Sequence, residues 1–125
     1  MNLLARTHAL PPAPGAARRK LESLLAEADW PGDVEGVLLA VHEALINSHR
    51  HAGGAVSAQV SLQGEDLVVE VRDRGPGFDV SPHTGSRPDA LAEQGRGLWL
   101  ISQIADSWDV RRDRGVTCFS LRFSA

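Results

Sequence analysis

Glu43-Ala44-Leu45-Ile46-Asn47-Ser48-His49-Arg50-His51 is the stretch on which the reading of this chain turns. It lies inside a segment from about Val34 to Ala52 whose apolar residues recur at helical spacing, with Asp33 placed as an N-cap and Gly53-Gly54 as a stop. On a helical wheel Val34, Leu38, Val41 and Leu45 gather on one side, and Glu43, Asn47, Arg50 and His51 lie almost opposite. Such a polar stripe is ordinarily a solvated face. Here Leu39, Ala40 and Ile46 flank it, so the helix is apolar nearly all round. A carboxylate one turn from a carboxamide in that setting suggests a lined site.

Outward from this helix the pattern changes period. Towards the N-terminus, Ala16 to Trp30 reads as a helix with Leu21, Leu24 and Leu25 on one face, and residues 2–10 read as an edge strand ended by Pro11, Pro12 and Pro14. Towards the C-terminus, Val56, Ala58, Val60 and Leu62 alternate with polar residues, and Gln63-Gly64-Glu65-Asp66 reads as a hairpin turn. The returning strand puts Leu67, Val69 and Val71 on one face. Residues 79–94 show no sustained apolar period, which suits a lid or binding loop. A helix from Gly95 to Ala105 follows, then strands at about Ser107–Arg112 and Val116–Phe123. The order β-α-α-β-β-loop-α-β-β predicts an α/β (α+β) sandwich: a mixed, mostly antiparallel sheet with helices packed on one face.

At 125 residues the chain is expected to form a single domain over 1–125, with 79–94 as its lid. The formal charge of −3 gives no general basic field for nucleic acid or an anionic membrane. Cys118 alone makes neither an internal disulfide nor a cysteine-based zinc site, and the N-terminus lacks a signal-peptide core. The expectation is a small cytoplasmic domain without direct nucleic-acid or membrane partners.

Three further features carry chemistry. In Asp73-Arg74-Gly75-Pro76-Gly77, Asp73 continues the inward row of Leu67, Val69 and Val71. A carboxylate there is costly to bury unless a donor such as an adenine amino group meets it; the plainer reading is a turn start. Gly95-Arg96-Gly97-Leu98 opens a helix, where small residues let backbone N–H groups approach an anion. It is neither a Rossmann fingerprint nor a P-loop, and its plainer reading is a helix start with permissive glycines. Thr117 is a hydroxyl at the end of the apolar row Phe119, Leu121 and Phe123.

Together these lines resemble the GHKL ATPases, the superfamily of gyrase, heat-shock chaperone, histidine kinase and mismatch-repair ATPases. Glu43 to His51 resembles the N box, Asp73-x-Gly75-x-Gly77 the first glycine box, Gly95-x-Gly97-Leu98 the second, and Gly115-x-Thr117 the segment behind the adenine. The resemblance covers essentially the whole chain. Among the short, single-domain forms it is most similar to bacterial anti-sigma-factor serine/threonine kinases. It implies ATP and Mg²⁺ as ligands, Asn47 as the metal residue and Glu43 as catalytic base or hydroxyl-positioning group. It implies Asp73 on the adenine amino group, Gly75 and Gly77 beside the base, and Thr117 behind it. Gly95, Arg96, Gly97 and Leu98 fall to the phosphates, and Arg50 and His51 to phosphate or ribose. The implied partner is an antagonist protein, a sigma factor or both, with a homodimer compatible through the first strand and helix. The alternatives are an ATP-binding module that sequesters a partner without phosphorylating it, an excised histidine-kinase catalytic domain, and a ligand-free interaction domain.

Overall fold

The computed structural model describes residues 6–75 and 93–125. The elements run β1 (Thr7–Ala9), α1 (Pro14–Ala28), α2 (Val34–Ala52), β2 (Ser57–Gln63), β3 (Asp66–Asp73), α3 (Glu93–Ile104), β4 (Ser107–Asp113) and β5 (Val116–Phe123). The described strands form one five-stranded sheet in the order β1-β2-β3-β5-β4, and every pairing among them is antiparallel. Positions 79–92 of the expected lid lie outside the described residues, as do 2–5 of the expected first strand; Glu93 and Gln94 belong to α3.

The inward rows of the sheet are Ala58 and Val60 on β2, Leu67, Val69 and Val71 on β3, and Phe119, Leu121 and Phe123 on β5, all buried. The helices supply the other half of the core, including Leu21 and Leu25 from α1 and Val37, Val41 and Leu45 from α2. Each such aliphatic side chain contributes about 1.5–3 kcal/mol by leaving water. α2 packs against both α1 and α3 as well as the sheet, which accounts for its being apolar nearly all round. Its ends follow the sequence: Asp33 accepts a hydrogen bond from Gly36 N–H at 3.0 Å, and Gly53, at φ 77°, donates to His49 O at 3.0 Å.

Three boundaries differ from expectation, each for a local reason. α1 starts and ends two residues early because Pro14 occupies the first turn, where its missing N–H costs nothing, and Asp29 turns left-handed at φ 51°. Trp30 is therefore free of the helix; it is buried and its indole N–H donates to Glu65 O at 3.0 Å, tying the helical layer to the β2–β3 turn. Val56 leaves the inward row and is exposed, because Val56 N–H bonds to Arg72 O, the residue that Ser57 also faces. Two residues opposing one make a bulge, which flips the alternation at that point. α3 begins at Glu93 rather than Gly95.

Candidate functional site

α2 runs from its Asp33 cap to Gly53, with the Glu43–Asn47 part of its polar stripe turned towards α3. Asn47 is only 3% exposed, and Glu43, one turn earlier, is half-buried. Glu43, Ile46, Asn47 and Arg50 of α2 line a cleft of about 480 Å³ with Gly97, Trp99 and Leu100 of α3. The solvated-face reading of the stripe thus fails for Asn47 and Glu43, and holds for the exposed Arg50, which takes part in an interaction of its own.

Gly97 decides how closely the two helices meet. A Cβ placed there would lie 3.0 Å from Glu43 Oε2, so any larger residue presses on the carboxylate. α3 is held in this position from behind: Trp108 of β4 donates its indole N–H to Ser102 Oγ at 2.9 Å, Ser102 Oγ donates to Leu98 O at 3.0 Å, and Leu98 is buried in the core. The Leu98 side chain is thus committed to packing, which leaves only its backbone for a ligand. Because α3 starts at Glu93, Gly97 is its fifth residue, beyond the four N–H groups that a helix start leaves unpaired. Among the second-box residues, the free N–H group of this helix start belongs to Gly95.

A second cluster sits where β3 ends. Asp73 is 6% exposed and pairs in register with Thr117, itself buried. Asp73 Oδ1 accepts from Gly75 N–H at 2.9 Å, and Thr117 Oγ1 donates to Gly75 O at 3.1 Å, so one turn is clamped from both sides. Gly75 also lies hard against the last turn of α2: a Cβ there would fall 2.5 Å from Ala52 Cβ and 3.0 Å from His51 O. The close approach demands glycine, and it joins the Asp73 cluster to the C-terminal end of the helix that carries Glu43 and Asn47. Gly77 lies outside the described residues.

Asp73, Gly75 and Thr117 thus come together, as do Glu43, Asn47, Arg50 and Gly97, with His51 at the junction. The sequence reading missed Trp99 as a cleft-lining residue, since a tryptophan in an apolar helix reads as core. A wider concavity of about 840 Å³ lies on the other face of the sheet, lined by Glu70, Arg72, Arg111, Arg114 and Cys118 among others. Arg72 and Glu70 pair there at 2.9 Å. Burial, with a hydrogen bond to Glu70 and that carboxylate's charge, pushes the Cys118 thiol up, so it stays protonated and a poor nucleophile at neutral pH.

The donors suit a hard cation beside an anion. Asn47 Nδ2 is buried with no hydrogen-bond partner among the described residues, the position of a group awaiting a ligand. A half turn of the carboxamide exchanges nitrogen for oxygen at that point, and oxygen is the donor Mg²⁺ takes. No group of three or more His, Cys, Asp or Glu able to hold a metal occurs among the described residues. No helix among them is long and apolar enough to cross a membrane.

Among the described residues a five-stranded antiparallel sheet lies under three helices, with polar residues held at the helix–helix cleft and at the end of β3, the architecture of an ATPase class of domain. The chain belongs to the histidine kinase-like ATPase domain family, whose profile matches residues 7–123. It is similar to the Serine-protein kinase RsbW of Halalkalibacterium halodurans (32% identical over 102 residues, covering 73% of this chain and 63% of that protein). The namesake from Bacillus velezensis is 35% identical over 98 residues, covering 68% of this chain and 61% of that protein. That from Bacillus licheniformis is 29% identical over 133 aligned positions, covering 94% and 83%. The match thus spans about three-fifths of the length of the first two. The Acinetobacter baumannii histidine kinase AdeS shares the fold, with a TM-score of 0.54 at 13% identity over 98% of this chain and 68% of that one.

Proposed function

We propose that the protein is an anti-sigma-factor-type serine/threonine kinase that transfers the γ-phosphate of ATP to a hydroxyl of an antagonist protein. The observation that carries this reading is that Glu43 and Asn47, whose buried Nδ2 has no partner among the described residues, line one cleft with Gly97. The names of the relatives support it. In this reading Asp73 and Thr117 hold the adenine end, with Gly75 and Gly77 beside the base. Arg50, His51 and the start of α3 at Gly95, Arg96 and Gly97 face the phosphates, with Leu98 contributing backbone alone. Asn47 holds Mg²⁺, which when bound offsets charge on the phosphate oxygens. Glu43 accepts the proton of the incoming hydroxyl as its oxygen bonds to the γ-phosphorus and the bond to ADP breaks.

Asn47→Ala checks the metal role. It is expected to weaken nucleotide binding measured with Mg²⁺ while leaving binding measured in EDTA unchanged; equal losses under both conditions would remove Asn47 from the metal.

The class of reaction is read from the label. With γ-labelled Mg-ATP alone, the protein is expected to acquire no acid-labile phosphate. With its cognate antagonist added, acid-stable label is expected on a serine or threonine of that partner. Label on one of the protein's own histidines would place it with histidine-kinase catalytic domains. Tight ATP binding with no transfer would make it a sequestering module.

A further inference from the structure

The corner of the sheet where β4 turns into β5 is rich in arginine. Arg111, Arg112, Asp113 and Arg114 follow one another there, all exposed. Arg111 pairs with Asp109 at 3.3 Å, but neither Arg112 nor Arg114 has an ion-pair partner among the described residues. Both line the concavity of about 840 Å³ together with Arg72, whose Nη1 is buried with no partner among the described residues. A guanidinium donor left in that state is costly, and a carboxylate is the acceptor that suits it.

The same corner ends an open edge. β4 has seven residues with no proline or glycine, and among the described residues no strand pairs with its outer side. Such an edge presents unpaired N–H and C=O groups, which proteins ordinarily protect. The turn decides which residues own them. Arg114 and Gly115, at φ 53° and 79°, are the left-handed pair of a two-residue hairpin, so the flanking Asp113 and Val116 form a hydrogen-bonded pair. Such pairs recur at every second residue, which commits Asp109, Arg111 and Asp113 to β5. The other end agrees, because Asp106 N–H bonds to Arg122 O at 2.9 Å beside the Ser107–Arg122 pair, as a bulge on a hydrogen-bonded pair requires. Trp108, Val110 and Arg112 keep outward backbone groups, and their side chains share the face of Leu121, Phe119 and Thr117, their partners in register.

We infer that this edge receives an extended segment of a partner protein, added antiparallel as a sixth strand, with aliphatic residues opposite Trp108 and Val110 and acidic residues at the Arg112–Arg114 end. Backbone bonds give such a contact affinity, and the alternate side chains give it choice. Residues directly opposite stand about 5 Å apart, so a carboxylate opposite Arg112 reaches its guanidinium. The next acid on that face passes the end of β4 and lies beside Arg114 at the concavity. An aliphatic residue opposite Val110 extends the apolar packing of a side chain that already rests on the core. Antiparallel addition continues the other four pairings of the sheet and puts the acids at the segment's N-terminal end.

The chain as a whole carries −3, so the attraction is local to this corner rather than a general field. A nucleic acid suits the arginines but has no backbone amide to complete the edge. A lone anion answers the arginines and leaves the open amides as they were. The inference draws on no residue assigned to the nucleotide, and its test needs no nucleotide, so it stands or falls apart from the kinase reading.

The probe is a fluorescein-labelled synthetic peptide, Glu-Ser-Glu-Thr-Val-Thr-Val-Ser, titrated with the nucleotide-free protein and followed by fluorescence anisotropy. Saturable binding is expected, weakened about tenfold or more when both glutamates become lysine. Arg112→Glu/Arg114→Glu is expected to reverse that preference. Both sites are exposed, so circular dichroism should record an intact fold. Strand pairing is read by N-methylation of the peptide. On the first valine, opposite Val110, a methyl group removes a donor to the edge and is expected to abolish binding. On the second threonine, whose N–H points away from β4, it is expected to change the dissociation constant by less than about twofold. No saturable binding, equal affinity for the lysine peptide, or indifference to the methylated valine would each overturn the inference. So would displacement of the peptide by oligothymidylate of equal charge, which would give the corner to nucleic acid. Self-association of the protein that the peptide dissolves in sedimentation velocity would give the edge to a second copy and overturn it likewise.

Discussion

Asp73→Asn is expected to lower affinity for adenine nucleotides about a hundredfold while leaving the fold in place. The carboxylate can only accept hydrogen bonds. Its Oδ1 takes Gly75 N–H, and it keeps acceptor capacity for the adenine amino group assigned to it. An asparagine keeps the Gly75 bond only by spending its one oxygen there. It then presents an NH₂ group to another NH₂ group, and a buried donor is left unpaired on each side. Because the Gly75 bond and the Thr117 bond to Gly75 O survive, the turn holds, and the melting temperature of the free protein should move little. Calorimetry with ATP and GTP reads the result. Wild type should reject GTP, whose guanine places a carbonyl where adenine has the amino group. ATP affinity unchanged in the variant, or ATP and GTP bound alike by wild type, would remove Asp73 from the base.

The same residue shows why so much of this molecule was legible in its sequence. Polar groups at the ends of apolar rows are conspicuous: Asp73 follows Leu67, Val69 and Val71, and Thr117 precedes Phe119, Leu121 and Phe123. The structure pairs the two in register, since strand alternation is a local rule that the β3–β5 ladder preserves. The α2 stripe was visible for the same reason, with Asp33 and Gly53 marking its ends. What the sequence could not show depends on contacts between elements. Val56 was expected to face inward, and only the pairing of β2 with β3 reveals the bulge opposite Arg72. Leu98 was grouped with the second glycine box, but α3 packs it into the core. Gly75 has a use beyond any turn conformation, because its missing side chain admits the end of α2. Trp99 lines the cleft because of how α3 lies against α2, a contact between elements that the sequence does not display.

Glu43 separates binding from chemistry. Glu43→Gln is expected to bind Mg-ATP as wild type does and to lose about 10²–10⁴-fold in transfer rate, the usual contribution of a general base. The isosteric amide is the sharper variant, since it preserves the fit against Gly97, where a Cβ would lie 3.0 Å from Oε2. Glu43→Ala empties that space and is expected to lose at least as much. Comparison of the two decides what the carboxylate does. If it only positions the hydroxyl, glutamine can still accept a hydrogen bond from it and most of the rate survives, while alanine fails. If it takes the proton, both fail alike, because an amide does not accept one at neutral pH. Single-turnover transfer of labelled phosphate to the antagonist, alongside calorimetric ATP affinity for each variant, reads the two cases. Full transfer by Glu43→Ala would take Glu43 out of the reaction and leave the cleft as a binding site alone.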